Sequence, residues 1–370
     1  MEKKKIMVVF GTRPDAIKML PLALELKKHD EFDVKICATA QHREMLDQVL
    51  GIFDVLPDFD LNIMSKEQTL EQISGKIMEQ LKMVLEKNPQ DLVLVHGDTT
   101  TGVMAALETF YNKIPVGHVE AGLRSFDIYS PFPEEMNRKL IGTIATYHFA
   151  PTEQNVKNLI ADGVSRENII KTGNTVIDVL KYTIDENYKF KTEVLNEIDF
   201  NNKVILLTAH RRENLGEPLN NICDAIIELT KKYNDVKFVY PVHLNPKVRE
   251  TVFSKLSNND NVYLIDPLDV KELHNLMNKC YLVATDSGGI QEEAPALGKP
   301  VVVLRTETER PEAVEAGTVK LIGVEKENII NSISKLIEDK SEYDSMAKAV
   351  NPYGDGKASE YIATYLLNNL

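Results

Sequence analysis

Three carboxylates in glycine- and proline-marked turns are the residues of this chain best placed to do chemistry. They are Asp98 in HGDTTTG, Glu120 in HVEAGLRS and Glu134 in PFPEEMNR. Asp98 and Glu120 each follow a short apolar run that is typical of a buried strand, and Glu134 opens a helix. Ligands of α/β proteins bind at the carboxyl ends of such strands. Because a site that removes and returns protons needs carboxyl groups in different environments, the pattern favours proton-transfer chemistry.

Each of these features also has a purely structural interpretation. Asp98 could cap the helix that begins in its threonine-rich turn. Glu134 could interact with the helix dipole, or with Arg138 four residues later. His96 and His118 each precede an acid by two residues, a spacing that metal hydrolases also use. The remaining histidines supply no third ligand at a convincing spacing, so we expect no metal.

The first strand is followed by a turn, GTRPDAIK, that could bind an anion. Arg13 lies in this turn, Pro14 is suited to the first helical position, and Lys18 comes one turn later. The backbone N–H groups and the helix dipole at such a turn attract anions. Gly11 has no partner glycines at the GxGxxG spacing and the chain has no GxxxxGK[ST] motif, which excludes both nucleotide fingerprints. Taken alone, the turn fits an anion site and ordinary helix capping equally well.

Basic residues and histidines recur at strand ends in the second half. His210, Arg211 and Arg212 follow an apolar strand in TAHRRENLG, and His243 does so in YPVHLNP. A solvated basic loop is the simpler interpretation. A strand end is nevertheless a costly place for charge unless the charge meets a ligand or counter-ion. For His243 a structural role and a functional role are equally compatible with the sequence.

TDSGGIQEEAP is the most specific single motif. Ser287, Gly288 and Gly289 form a turn without bulky side chains between a strand and a helix. Such glycines let a diphosphate approach backbone N–H groups at the start of the helix. Glu293, one turn into the helix, could accept hydrogen bonds from ribose hydroxyls, and Arg310 returns in the segment that follows. The motif favours a nucleotide diphosphate site.

The predicted strands and helices that position these residues alternate regularly along the chain. Apolar runs of strand length are followed by longer amphipathic stretches in both halves, as in parallel sheets covered by helices on both faces. The runs are 4–10, 34–39, 90–97, 114–120 and 147–152, then 202–210, 236–243, 261–267, 281–286 and 299–305. The predicted fold class is α/β, with two doubly wound, Rossmann-like domains and an interdomain cleft. The polar stretch around 192–202 places the boundary between Asn174 and Asn201.

The overall composition limits the function. A chain of 370 residues is too long for one ordinary core, and 43% hydrophobic with 27% charged residues is typical of globular proteins. A net charge of −13 argues against a nucleic acid or an anionic membrane as partner. Cys37, Cys223 and Cys280 show no metal or redox spacing and fit a reducing compartment. The first apolar run ends at Gly11, too early for a signal or membrane segment, so we expect a cytoplasmic protein.

Eight motifs together resemble the non-hydrolysing UDP-N-acetylglucosamine 2-epimerase family. In chain order they are GTRPDAIK, HGDTTT, HVEAGLRS, PEEMNR, TAHRREN, PVHLNP, SGGIQEEAP and ERPEA. The resemblance runs from Lys5 to the NPYGDGKAS of the tail, nearly the whole chain. It implies the GT-B architecture, a cytoplasmic homodimer and a last helix that crosses back to the first domain. The domains would then be 1–173 with about 354–370, and 174–353.

The resemblance also implies a reaction and a role for each motif. The family reversibly converts UDP-GlcNAc to UDP-ManNAc by eliminating UDP to a bound 2-acetamidoglucal and adding it back, without a cofactor. Asp98, Glu120 and Glu134 would form the acid/base set, their individual roles unassigned, and His210 would belong to both the catalytic and the binding residues. The other predicted substrate-binding residues are Arg13, Lys18 and Arg138, the phosphate cradle Ser287, Gly288 and Gly289, Glu293 for ribose, and Arg310.

One departure from the family pattern concerns activation. Bacterial members are activated by a second UDP-GlcNAc, and the matching allosteric candidates Gln41 and His243 are present here. Glu44 and Glu67, however, stand where neutral or basic groups are expected. A carboxylate near a diphosphate is repulsive by ~1–4 kcal/mol at 4 Å. We therefore predict weakened or absent activation.

Three other functions remain as alternatives at the level of sequence. A GT-B glycosyltransferase would share the fold and the donor, although three acids exceed what an inverting transferase needs. A hydrolysing epimerase would release free N-acetylmannosamine. A non-catalytic nucleotide-sugar sensor would bind UDP-GlcNAc without exchanging its C2 hydrogen with solvent.

Overall fold

The computed structural model describes residues 2–40, 43–65 and 67–370, with only the backbone of 43–45. The chain forms two compact units, one of Met1–Tyr182 with Tyr353–Leu370 and one of Thr183–Pro352. Each unit contains one parallel sheet with helices between its strands. The predicted α/β class with two Rossmann-like halves is confirmed.

The strands, in chain order, are β1 (Lys4–Phe10), β2 (Phe32–Ala38), β3 (Phe59–Asp60), β4 (Leu92–His96), β5 (Val116–Val119), β6 (Tyr147–Ala150), β7 (Ile169–Lys171), β8 (Lys203–Thr208), β9 (Val236–Pro241), β10 (Val262–Ile265), β11 (Leu282–Thr285), β12 (Val301–Val303) and β13 (Val319–Leu321). The sheet of the first unit has the order β3-β2-β1-β4-β5-β6-β7, and that of the second β10-β9-β8-β11-β12-β13. Three strands were not predicted, β3, β7 and β13. They have two or three residues each and lie at sheet edges, so their apolar signal is short.

The helices, in chain order, are α1 (Arg13–Leu26), α2 (Arg43–Phe53), α3 (Leu70–Lys87), α4 (Thr100–Tyr111), α5 (Glu134–Ile144), α6 (Glu153–Ala161), α7 (Thr175–Asp178), α8 (Leu180–Thr183), α9 (Glu217–Lys232), α10 (Pro246–Leu256), α11 (Val270–Lys279), α12 (Ile290–Ala296), α13 (Pro311–Glu315), α14 (Lys326–Glu338), α15 (Lys340–Ala347) and α16 (Ala358–Asn369). Within the described ranges, none of them combines the length and apolarity needed to cross a bilayer.

The alternation of side chains along β1 builds two hydrophobic layers in the first unit. Because successive residues of a strand face opposite sides, Ile6 and Val8 pack in one layer with residues of α1 and α16, including Leu366. Met7 and Val9 pack in the other layer, with residues of α3 and α4. The last helix therefore completes a core that the first strand begins.

The order of the strands determines where a ligand can bind. In the first sheet the direction of the crossovers reverses between β1 and β4, and in the second between β8 and β11. The loops that leave such neighbouring strands diverge and form a crevice at the carboxyl edge of the sheet. The loops 11–12 and 97–99 lie at this point in the first unit, and the loops 209–211 and 286–289 lie there in the second.

Candidate active site

The loops after β4 and β5 bring Asp98 and Glu120 to the same edge of the first sheet. The two strands pair in parallel with His96 opposite Val119, so each acid follows its strand by one or two residues. Gly97 bridges the two strands by donating its N–H to the Val119 carbonyl at 2.9 Å. Gly97 has φ +58°, and a Cβ there would lie 3.3 Å from Oε2 of Glu120. Glycine is needed at this turn because both its conformation and the neighbouring carboxylate exclude a side chain.

Arg138 on α5 holds the Asp98 carboxylate. Its Nε and Nη2 donate to Asp98 Oδ2 at 2.9 and 2.6 Å. Burial raises the pKa of Asp98, the Arg138 charge opposes this rise, and the nearby Glu120 carboxylate adds to it. The net upward direction means that Asp98 takes up a proton more readily than an ordinary aspartate.

Thr99, rather than Asp98, caps α4. Its hydroxyl accepts a hydrogen bond from the Gly102 N–H at 3.2 Å and donates to Asp15 Oδ2 at 3.1 Å. The structural interpretation of Asp98 as a helix cap is therefore wrong. The Asp98 side chain is directed to Arg138 instead.

The Glu120 side chain is only 9% exposed and is surrounded by hydrogen-bond donors. Its backbone adopts a left-handed φ of +61°, a conformation that is strained for a residue with a side chain. Lys18 forms an ion pair with Oε1, Asn174 Nδ2 donates to Oε1 at 2.8 Å, and His96 Nε2 lies 3.4 Å from Oε2. Burial alone would raise the pKa of Glu120, but Lys18, His96 and the hydrogen bonds outweigh burial and lower it below its usual range. Glu120 is thus held as a carboxylate.

His96 lies between two carboxylates and is itself buried. Its other nitrogen, Nδ1, lies 3.6 Å from Oδ1 of Asp15. Asp15 also forms a capping box with Thr12 at the start of α1. The T-x-x-D spacing of this box can be read from the sequence. Among the described residues no group of three His, Cys, Asp or Glu side chains is arranged to hold a metal ion.

Two adjacent glutamates at the start of α5 differ in their contacts. Glu134 is half-buried, and its Oε2 has no hydrogen-bond partner within the described part of the chain. Glu135 is fully buried and accepts hydrogen bonds from the backbone N–H groups of Ser125 and Phe126 at 3.0 and 3.2 Å. Arg138 donates to Glu135 at 3.0 Å, so the pairing expected with Glu134 is replaced by one with its neighbour. Glu135 shapes the loop, and Glu134 keeps an oxygen available for a ligand.

The two basic residues of the predicted anion turn after β1 lie in different environments. Arg13, and not Pro14, is the first residue of α1, and its side chain is exposed. Lys18, one turn later, reaches the Glu120 carboxylate. The turn therefore positions one cation at the carboxylate cluster and one at the surface.

Asp286 organises the loops after β8 and β11 in the second unit. It is completely buried, and its Oδ2 accepts hydrogen bonds from the N–H groups of His210 and Arg211 at 2.7 and 2.8 Å and from Asn214 Nδ2 at 3.0 Å. Its Oδ1 lies 3.3 Å from Nδ1 of His210. This buried aspartate, which was not predicted as a site residue, holds the backbone of His210 and Arg211 and lies close to one nitrogen of the His210 ring.

Two arginines flank the Ser287–Gly289 turn. A Cβ built on Gly288 would lie 3.8 Å from Nη2 of Arg211 and 4.0 Å from Nη2 of Arg310. Arg310 is held by an ion pair with Glu292 on α12. Positive charge therefore converges on a turn with little side-chain bulk, as an anion cradle requires.

The second unit also contains a cavity of about 280 Å³, close to the lower limit of small-molecule pockets at ~300 Å³. Its lining includes His210, His243, Leu268, Ser287, Gly289 and Glu293. Glu293 Oε2 lies 3.6 Å from Nε2 of the buried His274, whose other nitrogen contacts the Thr183 hydroxyl at 2.8 Å. The cavity thus brings together Ser287 and Gly289 of the predicted phosphate cradle with Glu293, the predicted ribose ligand.

The allosteric candidates are only partly described. His243 stacks on His210 with ring centroids 5.4 Å apart, and its Nδ1 accepts a hydrogen bond from the Asn245 N–H at 3.1 Å. Gln41 and the side chain of Glu44 lie outside the described residues. Glu67 is exposed and has a left-handed φ of +55°.

Comparison with known proteins gives a consistent result over the whole chain. The profile of the family described as UDP-N-acetylglucosamine 2-epimerase matches residues 24–367. A Bacillus subtilis protein named UDP-N-acetylglucosamine 2-epimerase is 53% identical over 367 residues, covering 99% of this chain and 96% of the relative.

Solved structures agree with this match. The crystal structure of UDP-GlcNAc 2-epimerase from Neisseria meningitidis bound to UDP-GlcNAc is 53% identical with a TM-score of 0.86, covering 99% of this chain and 100% of that one. The Methanocaldococcus jannaschii enzyme in complex with UDP-GlcNAc and UDP is 34% identical with a TM-score of 0.75, covering 99% and 100%.

Proposed function

The chain belongs to the UDP-N-acetylglucosamine 2-epimerase family, and from that membership we propose that it reversibly converts UDP-GlcNAc to UDP-ManNAc without hydrolysis. We propose further that the reaction proceeds by elimination of UDP and its re-addition. The C2 proton of the sugar is not acidic, because no carbonyl group is adjacent to it. Direct removal of that proton followed by its return is therefore too slow at neutral pH.

In the proposed elimination the C2–H bond breaks and its electron pair forms the C1=C2 double bond. UDP leaves with the electron pair of the C1–O bond, and 2-acetamidoglucal stays bound. In the return step a diphosphate oxygen bonds to C1, and C2 receives a proton on the opposite face. Oxidation states balance within the substrate, so the sequence of steps consumes no nicotinamide or other cofactor.

The observation that supports this chemistry best is the opposite electrostatic environment of two neighbouring carboxyl groups. Lys18 and His96 keep Glu120 ionised, whereas burial raises the pKa of Asp98. Groups whose pKa values are driven apart are suited to act as a base and an acid in one reaction. We propose that Glu120 removes the C2 proton and Asp98 returns one, with the roles exchanged in the reverse direction. Glu134 completes the set with its uncommitted oxygen.

The second unit would hold the UDP moiety. Arg211 and Arg310 beside the Ser287–Gly289 turn would stabilise the charge that develops on the leaving diphosphate. His210, oriented by Asp286, would donate to a phosphate oxygen through its other nitrogen. Glu293 would bind the ribose hydroxyls, and Arg13 and Arg138 of the first unit would bind the sugar end. We also propose a homodimer whose product supplies polysaccharide or glycan synthesis.

Incubation of the pure protein with UDP-GlcNAc in D₂O, followed by ¹H NMR, tests the proposal. We expect UDP-ManNAc to appear, deuterium to enter at C2 of both sugars, and no free sugar to accumulate. Trapped 2-acetamidoglucal and UDP would support the elimination directly.

The other functions give different spectra in the same tube. Free ManNAc would indicate a hydrolysing epimerase. Unchanged UDP-GlcNAc that reacts only after an acceptor is added would indicate a glycosyltransferase. Binding without any exchange at C2 would indicate a sensor and contradict the proposal.

A further inference from the structure

Asn174 connects the Glu120 carboxylate to a fixed point of the backbone. It lies between β7 and α7 and is 3% exposed. The sequence gives no sign of a role for it, because the residue stands 54 positions from Glu120 and opens a helix of four residues. Its backbone N–H and both ends of its side-chain amide nevertheless form hydrogen bonds, each to a different part of the first unit.

The side-chain amide of Asn174 can have only one orientation. Its Oδ1 accepts a hydrogen bond from the Val176 N–H at 3.1 Å, which caps α7. The opposite atom must then be the NH₂ group, and it lies 2.8 Å from Glu120 Oε1. Since a carboxylate can only accept, the assignment is consistent at both ends. Asn174 therefore donates to the ionised form of Glu120.

The backbone around Asn174 is fixed as well. Its N–H donates to the Tyr353 carbonyl at 2.7 Å, where the chain re-enters the first unit. Gly173 has φ +86°, and a Cβ there would lie 3.0 Å from that carbonyl and 3.2 Å from Cα of Gly354. The two segments approach so closely that neither can shift alone. The amide is thus presented to Glu120 from a rigid support.

We propose that Asn174 is a positioning residue for the epimerisation, holding the Glu120 carboxylate in its ionised form and in one orientation. This inference rests on the proposed function of Glu120 in proton transfer. It adds an amide donor to the titratable groups that face Glu120. Those groups are Lys18 from α1, His96 from β4, Asp98 from the next loop, and Asp15 behind His96.

The substitution Asn174→Asp tests the proposal with the least structural change. It keeps the oxygen that caps α7 and the backbone hydrogen bond, but places a second carboxylate against Glu120 Oε1. A like charge at this distance raises the pKa of the first carboxyl group. We expect kcat to fall about tenfold or more, the scale of a lost hydrogen bond to a charged group, and the acidic limb of the kcat/KM profile to move to higher pH.

Asn112→Asp is the matched control. Asn112 Nδ2 donates to Oε1 of the buried Glu108 at 3.0 Å at the end of α4, so the change creates the same kind of carboxylate pair elsewhere in the first unit. We expect this variant to keep the kcat and pH profile of the unchanged protein. A merely structural role for Asn174 would lower the melting temperature without moving the pH limb.

A second readout does not depend on turnover. In protein labelled with [δ-¹³C]glutamate, the Glu120 resonance is identified by its loss in Glu120→Gln and then titrated. We expect Glu120 to titrate at higher pH in Asn174→Asp than in the unchanged protein and in Asn112→Asp. If Asn174→Asp does not fold, Asn174→Ser, which keeps a capping oxygen but not the donor, should shift the titration in the same direction by less.

An unchanged Glu120 titration would overturn the inference. This result is distinct from failure of the proposed function, in which the unchanged protein would leave UDP-GlcNAc unaltered while the titration still reported the contact. An unaltered pH limb in an active Asn174→Asp enzyme would also contradict it.

Discussion

A buried carboxylate is stable only when its charge is compensated, and Glu120 shows how many residues this takes. Lys18 supplies the charge, Asn174 a neutral donor, and His96 a ring that lies between Glu120 and Asp15. The left-handed backbone of Glu120 adds strain, which persists only where the surroundings determine the conformation. Such an arrangement is expensive for stability alone and is typical of a functional site.

Replacing the carboxyl group of any one of the three predicted acids by an amide should abolish most of the activity. We expect Asp98→Asn, Glu120→Gln and Glu134→Gln each to lower turnover by at least ~10²-fold, the scale of general acid–base catalysis, while the fold persists. The measurement is the initial rate of UDP-ManNAc formation together with a circular dichroism spectrum. Glu108→Gln serves as the control, because Glu108 is a buried glutamate of the same unit that lies outside the site. Near-normal turnover in the three site variants would refute their assignment.

At the scale of elements, a buried carboxylate caps the start of the last helix. Asp178 at the end of α7 accepts hydrogen bonds from the N–H groups of Ala358 and Ser359 at 3.2 and 3.0 Å, which caps α16 from another part of the chain. Burial raises the pKa of Asp178, since the compensating donors are mostly neutral. The helix then contributes Ile362 and Leu366 to the main core of the first unit.

Loss of this cap should loosen α16. We expect Asp178→Ala to lower the free energy of unfolding of the first unit by about 0.5–2 kcal/mol, the range measured for N-caps. Urea unfolding and hydrogen exchange of residues 358–369 measure the effect. Asp355→Ala removes an exposed carboxylate from the same segment and should cost less. Equal effects of the two substitutions would show that Asp178 does not hold the helix.

The predicted weakening or loss of activation by a second UDP-GlcNAc molecule depends on Glu44 in α2 and on Glu67 in the loop before α3. If their carboxylates repel a diphosphate, the rate should rise hyperbolically with UDP-GlcNAc, and the reverse reaction should proceed from UDP-ManNAc alone. Initial rates in both directions measure this. In Glu67→Gln the repulsion is reduced, so any activation should become stronger. Strongly sigmoidal kinetics, or an absolute requirement for UDP-GlcNAc in the reverse direction, would contradict the prediction.

At the scale of the whole molecule, two buried histidines make stability depend on pH. His118 and His148 face each other across β5 and β6. Burial lowers the pKa of His118 to about 3 and that of His148 to about 4. In the unfolded chain both titrate near ~6.5. Between those values the unfolded state binds more protons than the folded state, so the free energy of unfolding decreases as the pH falls.

The expected slope is about 1.4 kcal/mol per pH unit for each histidine between ~6.5 and 4. Urea unfolding of the first unit at a series of pH values measures it. His148→Gln should remove about half of this contribution, and His29→Gln, a partly exposed histidine, should leave it in place. The same slope in His148→Gln as in the unchanged protein would rule out the buried neutral state of His148.

Much of the architecture follows from local patterns in the sequence. Continuous apolar runs separated by amphipathic stretches predicted ten of the strands, because a strand buried on both faces is apolar along its length. The short edge strands β3, β7 and β13 lack that pattern, because their pairing depends on a neighbour that is already in place. Local sequence could not distinguish Thr99 from Asp98 as the cap of α4, because both residue types are good helix caps and the two are adjacent.

The sequence by itself determined the α/β class, the positions of Asp98, Glu120 and Glu134 at strand and helix ends, and the glycine turn of the second half. These depend on periodicity and on turn chemistry, which act over a few residues. Only the tertiary structure decided which partner each charge would have. Asn174 reaches Glu120 over 54 residues, Arg138 reaches Asp98 over 40, and Asp286 reaches the His210 N–H over 76. Such contacts form where loops and helices from distant segments meet at the carboxyl edge of a sheet, and that meeting is a property of the folded sheet rather than of any segment.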